Sequence, residues 1–548
     1  MTIFCLGLIR CPQFQVVIRE VKDSDAKRLD SWKEIAEYLG RDVRTAIRWE
    51  KERGMPVYRV PGQRGHGVFA VREEIDAWLR SDASQTGDPP TLAVLPFLNT
   101  SEPDQEYVSD GIAETVINTL SRTPRVRVMA WSTVRRYREA EADPRQIGRE
   151  LNVRAVVTGR LVRRNSFWQI SAELVDPTDG AQLWGKPYAR PAMDLQTLPH
   201  QITEDILSGL GVQLKAQEKR RLVPRIVKNP EAFDLYLKAR YHSSKFTESD
   251  FHMALGCLDR AIQLESHYAE AYAEKAHCYT LLGAGYGDLP PQELFAKSDQ
   301  AARKAIEIDD TIGEAHCALA VASPYRGFDW PFTEKELRRA IELSPSFPPA
   351  HLYYGTLLSA LGRYDEAIEE VRWASELDPH LAIYCGDLAF HLAIAGRLEE
   401  AEEQIQKAMR TCPNHGGLLF YIRGVVYERK GCYAEAIESL ETAVNTALIH
   451  TIPLGVLGHI YSRTGQPDKA RGVLARLDEL ATRRPVSHFS KALVHAGLSE
   501  TQLALACLER AFEENTPFLY FLKTYPWFES LRDEPRFKEL VRRVGLPD

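Results

Sequence analysis

The feature that most constrains the fold is a repeat in the carboxy-terminal half of the chain. A small residue recurs at spacings of 34, 35, 34 and 34, at Ala367, Ala401, Ala436, Ala470 and Ala504. A large apolar residue follows each of them four positions later, at Val371, Ile405, Leu440, Leu474 and Leu508. Positions spaced in this way share one face of a helix. Each unit is therefore predicted to contain a helix with one buried face.

A second helix is predicted in each unit by another set of small residues. They lie twelve positions before the alanines, at Gly355, Ala389, Gly424, Gly458 and Ala492, where two helices can approach closely. The period and the small positions resemble the tetratricopeptide repeat, above all in "YYGTLLSALGRYDEAIEEVRWASELDP" at residues 353–379. The resemblance implies an α-solenoid of about eight helix pairs over residues 228–514, with a partner protein or peptide on its concave face. Residues 515–548 are predicted to cap the last repeat.

Residues 91–217 have the pattern of a small α/β domain. "TLAVLPF" and "VRVMA" predict short strands, and Val108, Ile112, Val116 and Leu120 have helical spacing. In "FWQISAELVD" the residues Trp168, Ile170, Ala172 and Leu174 alternate with polar ones, as in a strand with one buried face.

This domain resembles the amino-terminal domain of TolB and related modules in "VRAVVTGRLVRR" and "AELVDPTDGAQLWGKPY". The resemblance implies a bacterial multidomain protein and an interaction role, and it supplies no catalytic residues. Asp110, Asp176 and Asp179 are an alternative carboxylate site, but a helix start and turns are the favoured explanation of these three residues.

Residues 28–80 predict two short helices, a hairpin and a closing helix. "SWKEIAEYLG" begins with the capping box of Ser31 and Glu34, and Val43, Ala46 and Ile47 are predicted to face inward on the next helix. "VYRV" and "VFAV" flank the Gly-rich "PGQRGHG", which is typical of a hairpin. The whole segment predicts a winged helix-turn-helix. Residues 81–90 are predicted to be a linker, and residues 1–27 a poorly ordered start.

Positive charge is concentrated in this segment. The chain has a net charge of -7, but residues 41–72 hold eight Lys or Arg and three Asp or Glu, a balance of +5 that leaves -12 for the rest. The second helix resembles the recognition helix of the MerR and excisionase class in Val43, Arg44, Thr45, Trp49, Glu50 and Lys51. The resemblance implies that this helix enters the major groove of DNA while the wing contacts the backbone. The predicted DNA-binding residues are Arg41, Arg44, Thr45, Arg48, Lys51, Arg59, Arg64 and His66. The competing interpretation is that these are ordinary solvated charges.

Common catalytic and nucleotide-binding motifs are absent from the sequence, which predicts a protein that is not an enzyme and has no cofactor. The nine cysteines lack metal-ligand spacing, so they are predicted to be apolar core residues of a reducing compartment, without a metal. No apolar run approaches the roughly 20 residues that span a bilayer, so we expect a cytoplasmic protein without a membrane partner.

The fold class is therefore expected to be multidomain and mainly α: a winged helix-turn-helix, a small α/β domain, then an α-solenoid. The favoured function is a bacterial transcriptional regulator that binds DNA through the winged helix, and a homodimer on palindromic sites is one form that such binding takes. The alternative is a non-enzymatic protein-interaction scaffold whose winged helix does not read DNA. A third hypothesis is that the α/β domain binds a small ligand.

Overall fold

The chain divides into two compact units, Met1–Pro89 and Pro90–Asp548. The computed structural model describes residues 28–39, 43, 46–47, 50, 55–59, 68–72, 74–75, 89–100, 105–138, 143–165, 167–191, 195–223, 226–286, 290–412, 417–446, 451–483 and 485–547.

The described part of the first unit is a helix and a small antiparallel sheet. Its elements are β1 Arg28–Leu29, α1 Trp32–Leu39, β2 Tyr58–Arg59 and β3 Val68–Val71, and the sheet order is β1-β3-β2. Tyr58 pairs with Phe69, so the two predicted hairpin strands are joined as expected. The strand β1 was not predicted from the sequence, because two residues carry too little pattern to reveal a strand.

The core of this unit contains most of the predicted apolar residues. Ile35, Ala36 and Ala46 are buried, and Glu34 donates its backbone N–H to Ser31 Oγ at 3.1 Å. Val43 is different, since 37% of it is exposed, and the prediction that it faces inward is wrong.

The second unit begins with a mixed sheet, which together with its helices we call the sheet domain (residues 91–222). Its strands are β4 Thr91–Val94, β5 Leu98–Asn99, β6 Arg127–Val128, β7 Ala155–Arg164, β8 Phe167–Val175 and β9 Gln182–Pro191. The order is β6-β4-β7-β8-β9, with β5 beside β7, and β4 is parallel to both β6 and β7. The pairs β7–β8 and β8–β9 are antiparallel. The helices are α2 Glu106–Ser121, α3 Trp131–Val134, α4 Pro144–Glu150, α5 Leu198–Gly209 and α6 Ala216–Leu222.

The periodicity of the sequence agrees with the burial in this domain. All four alternating residues of β8 that were predicted to face the core are buried, and so are the four helically spaced residues of α2. Asp176 and Asp179 accept backbone N–H groups from Thr178 and Ala181 at 2.8 Å, as their predicted turn positions require.

Eight helix pairs follow among the residues that the structure describes. They are α7 Pro230–Ser243 with α8 Glu248–Leu264, α9 Ala269–Leu281 with α10 Pro291–Ile308, α11 Gly313–Ala322 with α12 Trp330–Leu343, α13 Pro348–Ala360 with α14 Tyr364–Leu377, α15 Ala382–Ile394 with α16 Leu398–Thr411, α17 Leu418–Arg429 with α18 Tyr433–Asn445, α19 Ile452–Arg463 with α20 Pro467–Ala481, and α21 His488–Gly497 with α22 Thr501–Glu513. We number these pairs as units 1 to 8, and we call the surface formed by the first helix of each pair the inner face.

The two helices of a unit meet at the small residues of the repeat. A Cβ added to Gly355 would lie 2.4 Å from Val371 Cγ2, and one added to Gly424 would lie 2.6 Å from Leu440 Cγ. The five alanines that define the period are all fully buried. The predicted close approach of the helices is therefore confirmed.

The turn between the two helices of a unit repeats as well. Gly362, Gly396, Gly431 and Gly465 have φ of 74° to 79°, and Ser499 takes the same place in unit 8 with φ of 58°. This left-handed conformation ends the first helix and favours glycine. Ser499 is thus a strained version of a turn that glycine forms in four other units.

The carboxy-terminal segment extends far beyond the last repeat, which it was predicted to cap. It contains short 3-10 turns at Pro517–Phe521 and Pro526–Leu531 and a final helix, α23 Pro535–Val544. Trp527 donates to Glu428 of α17 at 2.5 Å, and Trp330 of α12 donates to the carbonyl of Val544 at 2.8 Å. The segment therefore runs from unit 8 back to unit 3. Among the described helices, none is both long and apolar enough to cross a membrane.

Candidate functional site between the sheet domain and the repeats

The predicted DNA-binding side chains all lie outside the described residues. This applies to Arg41, Arg44, Thr45, Arg48, Lys51, Arg64 and His66. Of Arg59 only the backbone is described, and it pairs with Val68 in the hairpin. These eight residues remain a prediction from the sequence.

The described residues place a different site at the inner face of the repeats, where the sheet domain packs. Helix α2 lies against α7, and a Cβ added to Gly111 would lie 2.8 Å from Leu237 Cδ2. Tyr107 donates to Asp234 at 2.7 Å beside this contact. Glycine lets the two helices approach at this point, and a larger residue would force them apart.

A buried ion-pair cluster joins the same two helices to unit 2. Arg240 of α7 donates to Glu274 of α9 at 2.7 Å and also bonds Glu114 of α2. Burial lowers the pKa of Arg240, but the charges of Glu114 and Glu274 outweigh burial and hold it well above its ordinary value. Buried ions of this kind depend on keeping every partner.

A second polar contact joins α3 to the turn between units 4 and 5. Ala130 donates its backbone N–H to the carbonyl of Leu377 at 2.9 Å. Ser132 and Thr133 both donate their hydroxyls to Asp378, the latter at 2.6 Å. Burial raises the pKa of the Asp378 carboxyl to about 6, although the two hydroxyl hydrogen bonds lower it.

Arg127 of β6 extends this contact onto unit 4. Its guanidinium pairs with Glu376 at 3.0 Å and lies 3.6 Å from the ring centroid of Trp373. The combination of an ion pair and a cation–π contact fixes the edge strand of the sheet against the repeat.

Between these contacts lies a cavity of about 940 Å³. The sheet domain lines it with residues of α2, α3 and α5, and the repeats line it with the first helices of units 1 to 5. The predicted open concave face is therefore partly covered by a domain of the same chain.

Several side chains of the cavity wall carry polar atoms without a hydrogen-bond partner. These atoms are Arg122 Nε, His200 Nδ1 and Glu314 Oε2. Burial and the nearby charge of Arg122 together lower the pKa of His200 to about 4, so its imidazole is neutral at neutral pH. Buried polar atoms are normally bonded, so this wall is incomplete by itself.

Asp110 does not occupy the helix-start position that was predicted for it. It lies inside α2, is 4% exposed and pairs with Arg138. Burial raises the pKa of its carboxyl to about 7, against the lowering effect of Arg138. An acidic residue in a helix is usually a solvated one, which is why the sequence did not reveal this buried pair.

His316, His351 and four of the described cysteines are buried between the helices of the repeats. His316 bonds Glu336 at 2.6 Å and the Asp310 carbonyl at 3.1 Å, and His351 bonds Glu370 in the same way. Cys278, Cys317, Cys385 and Cys412 are buried and free. No group of three potential metal ligands occurs within the described residues.

Two family models match parts of the chain. Residues 88–204 match the HilA/YgeH-like transcriptional regulator, second domain, and residues 336–369 match the tetratricopeptide repeat. The chain thus has a HilA-like regulator domain followed by tetratricopeptide repeats. The matching description of the sheet domain is HilA-like rather than TolB-like, and the likenesses to TolB and MerR remain predictions.

Curated relatives match parts of the chain. "Putative adenylate cyclase 3" of Rhizobium meliloti (strain 1021) is 30% identical over 273 residues, which are 47% of this chain and 46% of the relative. "Transcriptional regulator HilA" of Salmonella typhimurium (strain LT2) is 24% identical over 145 residues, 26% of either chain. The chain spans about half of the first relative and about a quarter of the second. The name of the first relative contradicts the prediction that a chain of this kind is not an enzyme, and we withdraw that prediction.

Solved structures match parts of the chain. The APC/C Cut9-Hcn1 hetero-tetramer has a TM-score of 0.38 at 16% identity and covers 64% of this chain and 61% of that one. Yeast Tom70 has a TM-score of 0.36 at 13% identity and covers 64% and 82%.

Proposed function

We propose that this chain is a DNA-binding transcriptional regulator whose tetratricopeptide repeats bind a partner protein or peptide. The observation that carries the proposal is the match of residues 88–204 to the second domain of a HilA/YgeH-like regulator. The unit that precedes this match contains the helix, the hairpin and the +5 charge segment in which the sequence predicts a winged helix-turn-helix.

Arg44, Thr45 and Arg48 are proposed to read base edges in the major groove. Arg41, Lys51, Arg59, Arg64 and His66 are proposed to contact phosphates. Base contacts give sequence preference, whereas phosphate contacts give binding that weakens with salt, with a slope of roughly -0.9 per neutralised phosphate.

The test is binding of the full chain to fragments of its own genome, followed by fluorescence anisotropy on the selected sequence. The double variant Arg44→Ala/Arg48→Ala is expected to bind that sequence at least tenfold more weakly, while Lys33→Ala, on the exposed face of α1, leaves binding unchanged. The variant Arg64→Ala is expected to reduce the salt slope by about one. The proposal fails if no fragment shows salt-sensitive binding or if the double variant binds as tightly as the wild type.

The second candidate function is an interaction scaffold in which the first unit does not read DNA. It is favoured by the eight described helix pairs, which occupy most of the second unit. The two candidates differ in the DNA experiment, since a scaffold shows no difference between the double variant and the wild type. Footprint length on the selected DNA tests the homodimer, because two half-sites separated by one helical turn of about 10 base pairs require two chains.

The partner of the repeats is proposed to bind next to, or in place of, the chain's own segments on the inner face. This follows because the sheet domain covers the inner face near units 1 to 5 and the carboxy-terminal segment contacts α15, α17 and α21. Hydrogen exchange of the full chain with and without a captured partner tests this: protection must change at the inner face rather than only on the second helices.

A further inference from the structure

The cavity between the sheet domain and the repeats has the dimensions of a small-molecule site. Its volume is about 940 Å³, whereas ligand pockets usually measure roughly 300–1,000 Å³. Its walls come from two parts of the chain that are separated in sequence, so a molecule bound in it would contact both.

Charges of opposite sign face this cavity from its two sides. Arg122 follows the end of α2 in the sheet domain, and Glu314 lies in the first turn of α11. Burial lowers the pKa of Arg122, but the charges of Glu314 and Glu270 raise it by more, so the guanidinium stays charged. Arg122 Nε and Glu314 Oε2 are nevertheless both without a hydrogen-bond partner. The charge of Glu314 therefore acts on Arg122, although Arg122 Nε and Glu314 Oε2 form no hydrogen bond with each other.

The rest of the wall offers aromatic surface. Tyr236, Tyr268, Tyr353 and Tyr384 line the cavity, and the rings of Tyr236 and Tyr268 lie 5.2 Å apart. Tyrosine presents a flat apolar ring together with a polar hydroxyl, which suits a molecule that has both apolar and polar parts.

We propose that this cavity binds a small zwitterion with an aromatic or apolar group, of the size of an amino acid or dipeptide. Its anionic group pairs with Arg122, its ammonium group pairs with Glu314, and its apolar part contacts the tyrosines. A molecule with one charge would leave the opposite wall unsatisfied, and a polyanion would meet Glu270, Glu274 and Glu314. Because the bound molecule contacts the sheet domain and the repeats together, it stabilises the contact between them.

The test is isothermal titration of the full chain with L-phenylalanine and with L-phenylalanyl-L-phenylalanine. At least one of these zwitterions is expected to bind with one molecule per chain. Phenethylamine lacks the carboxylate, 3-phenylpropionate lacks the ammonium group, and N-acetyl-L-phenylalanine amide lacks both charges. Each of these three analogues is expected to bind at least tenfold more weakly than whichever of the two zwitterions binds. The proposal is overturned if neither zwitterion binds saturably or if the uncharged amide binds equally well.

Two variants test the pairing of Arg122 with the anionic group and of Glu314 with the ammonium group. Arg122→Gln and Glu314→Gln are each expected to weaken binding of the zwitterion at least tenfold. Arg339→Gln, on the other side of the repeats and paired with Glu342, is the matched control and should leave binding unchanged. Far-ultraviolet circular dichroism checks that each variant is folded.

A further comparison remains informative even if Arg122→Gln does not fold. Because 3-phenylpropionate has no ammonium group and is repelled by the Glu314 carboxylate, it should bind Glu314→Gln at least as tightly as the wild type, while L-phenylalanine binds Glu314→Gln more weakly. Equal loss of both molecules in Glu314→Gln would contradict the assigned orientation. None of these measurements involves DNA, so their outcome is independent of the proposed regulator function.

Discussion

The inner face of the repeats is covered in two different ways. Near units 1 to 5 it faces the sheet domain through buried ions, hydroxyl groups and a cavity. Towards the end of the array it is covered by aromatic residues of the carboxy-terminal segment, among them Phe521, Tyr525 and Phe528. The stability of the contact with the sheet domain depends on buried polar groups having partners. The stability of the contact with the carboxy-terminal segment depends on the apolar area that it buries.

The hydrophobic cores follow the same division. One continuous core extends from Cys317 to Leu546 and includes the carboxy-terminal segment. The first repeats are built around smaller separate clusters, such as that of Phe251 and Leu258. The carboxy-terminal cover is therefore continuous with the core of units 3 to 8, whereas the contact with the sheet domain includes buried ions and hydroxyl groups.

The largest expected effect tests the aromatic cover. Phe528 is fully buried, and its ring lies 5.4 Å from that of Phe489 in α21. We expect Phe528→Ala to lower the free energy of unfolding by roughly 3–5 kcal/mol, because it leaves a cavity in the continuous core. Urea denaturation of the full chain measures the change. Phe167→Ala, where the side chain is about half exposed, is the control and should cost less than about 1 kcal/mol.

The next effect tests the ionic contact. Replacing Arg240 by Met leaves Glu114 and Glu274 buried without their partner, and we expect a loss of about 3 kcal/mol in the free energy of unfolding. The triple variant Arg240→Met/Glu114→Gln/Glu274→Gln should recover part of this loss, since no unpaired charge remains. If the triple variant is as unstable as the single one, packing of the arginine side chain rather than its charge holds the contact.

A smaller effect concerns pH at Asp378. Its pKa in the folded chain is raised to about 6 from an ordinary 3.8, so the folded state holds the proton more tightly than the unfolded state. Its contribution to stability therefore falls as pH rises from about 4 to 6 and stays low above that range. We expect Asp378→Asn to gain roughly 2–3 kcal/mol relative to the wild type between pH 4 and pH 8, because each tenfold difference in proton affinity corresponds to about 1.4 kcal/mol. Urea denaturation at both pH values measures this, and Asp365→Asn at an exposed helix start should show no such gain.

The smallest effect tests the repeat turn. Ser499 adopts φ of 58° where four other units have glycine, so we expect Ser499→Gly to raise the free energy of unfolding by roughly 0.5–1 kcal/mol. The reverse change in unit 6, Gly431→Ser, should lower it by a similar amount. Thermal unfolding of both variants measures the pair. Opposite signs support strain at the turn, and a loss in both variants would show that the Ser499 side chain has a stabilising role of its own.

The repeat could be predicted in detail because its signals are local. The distance from Ala367 to its equivalent in the next unit is the length of one helix pair, and the alternation in β8 occurs within one strand. Periodicity of this kind reports which face is buried, whatever covers that face. The apolar residues of α2 were predicted correctly for the same reason, whereas Val43, which was predicted to face inward, is exposed.

The site between the sheet domain and the repeats could not be predicted. Glu114 and Arg240 are 126 residues apart, and Ser132 and Asp378 are 246 apart. In the sequence, each of these residues has the pattern of a solvated charged or polar side chain on a helix or in a turn. Nothing in the local pattern indicates that a charged residue will be buried by a distant part of the chain.

The sequence by itself determined the helix pairs, the longer strands and a basic amino-terminal segment, because each depends on residues that are close along the chain. Only the tertiary structure decided that the sheet domain and the carboxy-terminal segment cover the inner face, and that a cavity with unpaired charges remains between the sheet domain and the repeats. The physical reason is that burial of a face is encoded locally, whereas the partner of that face is selected by shape and charge over the whole fold.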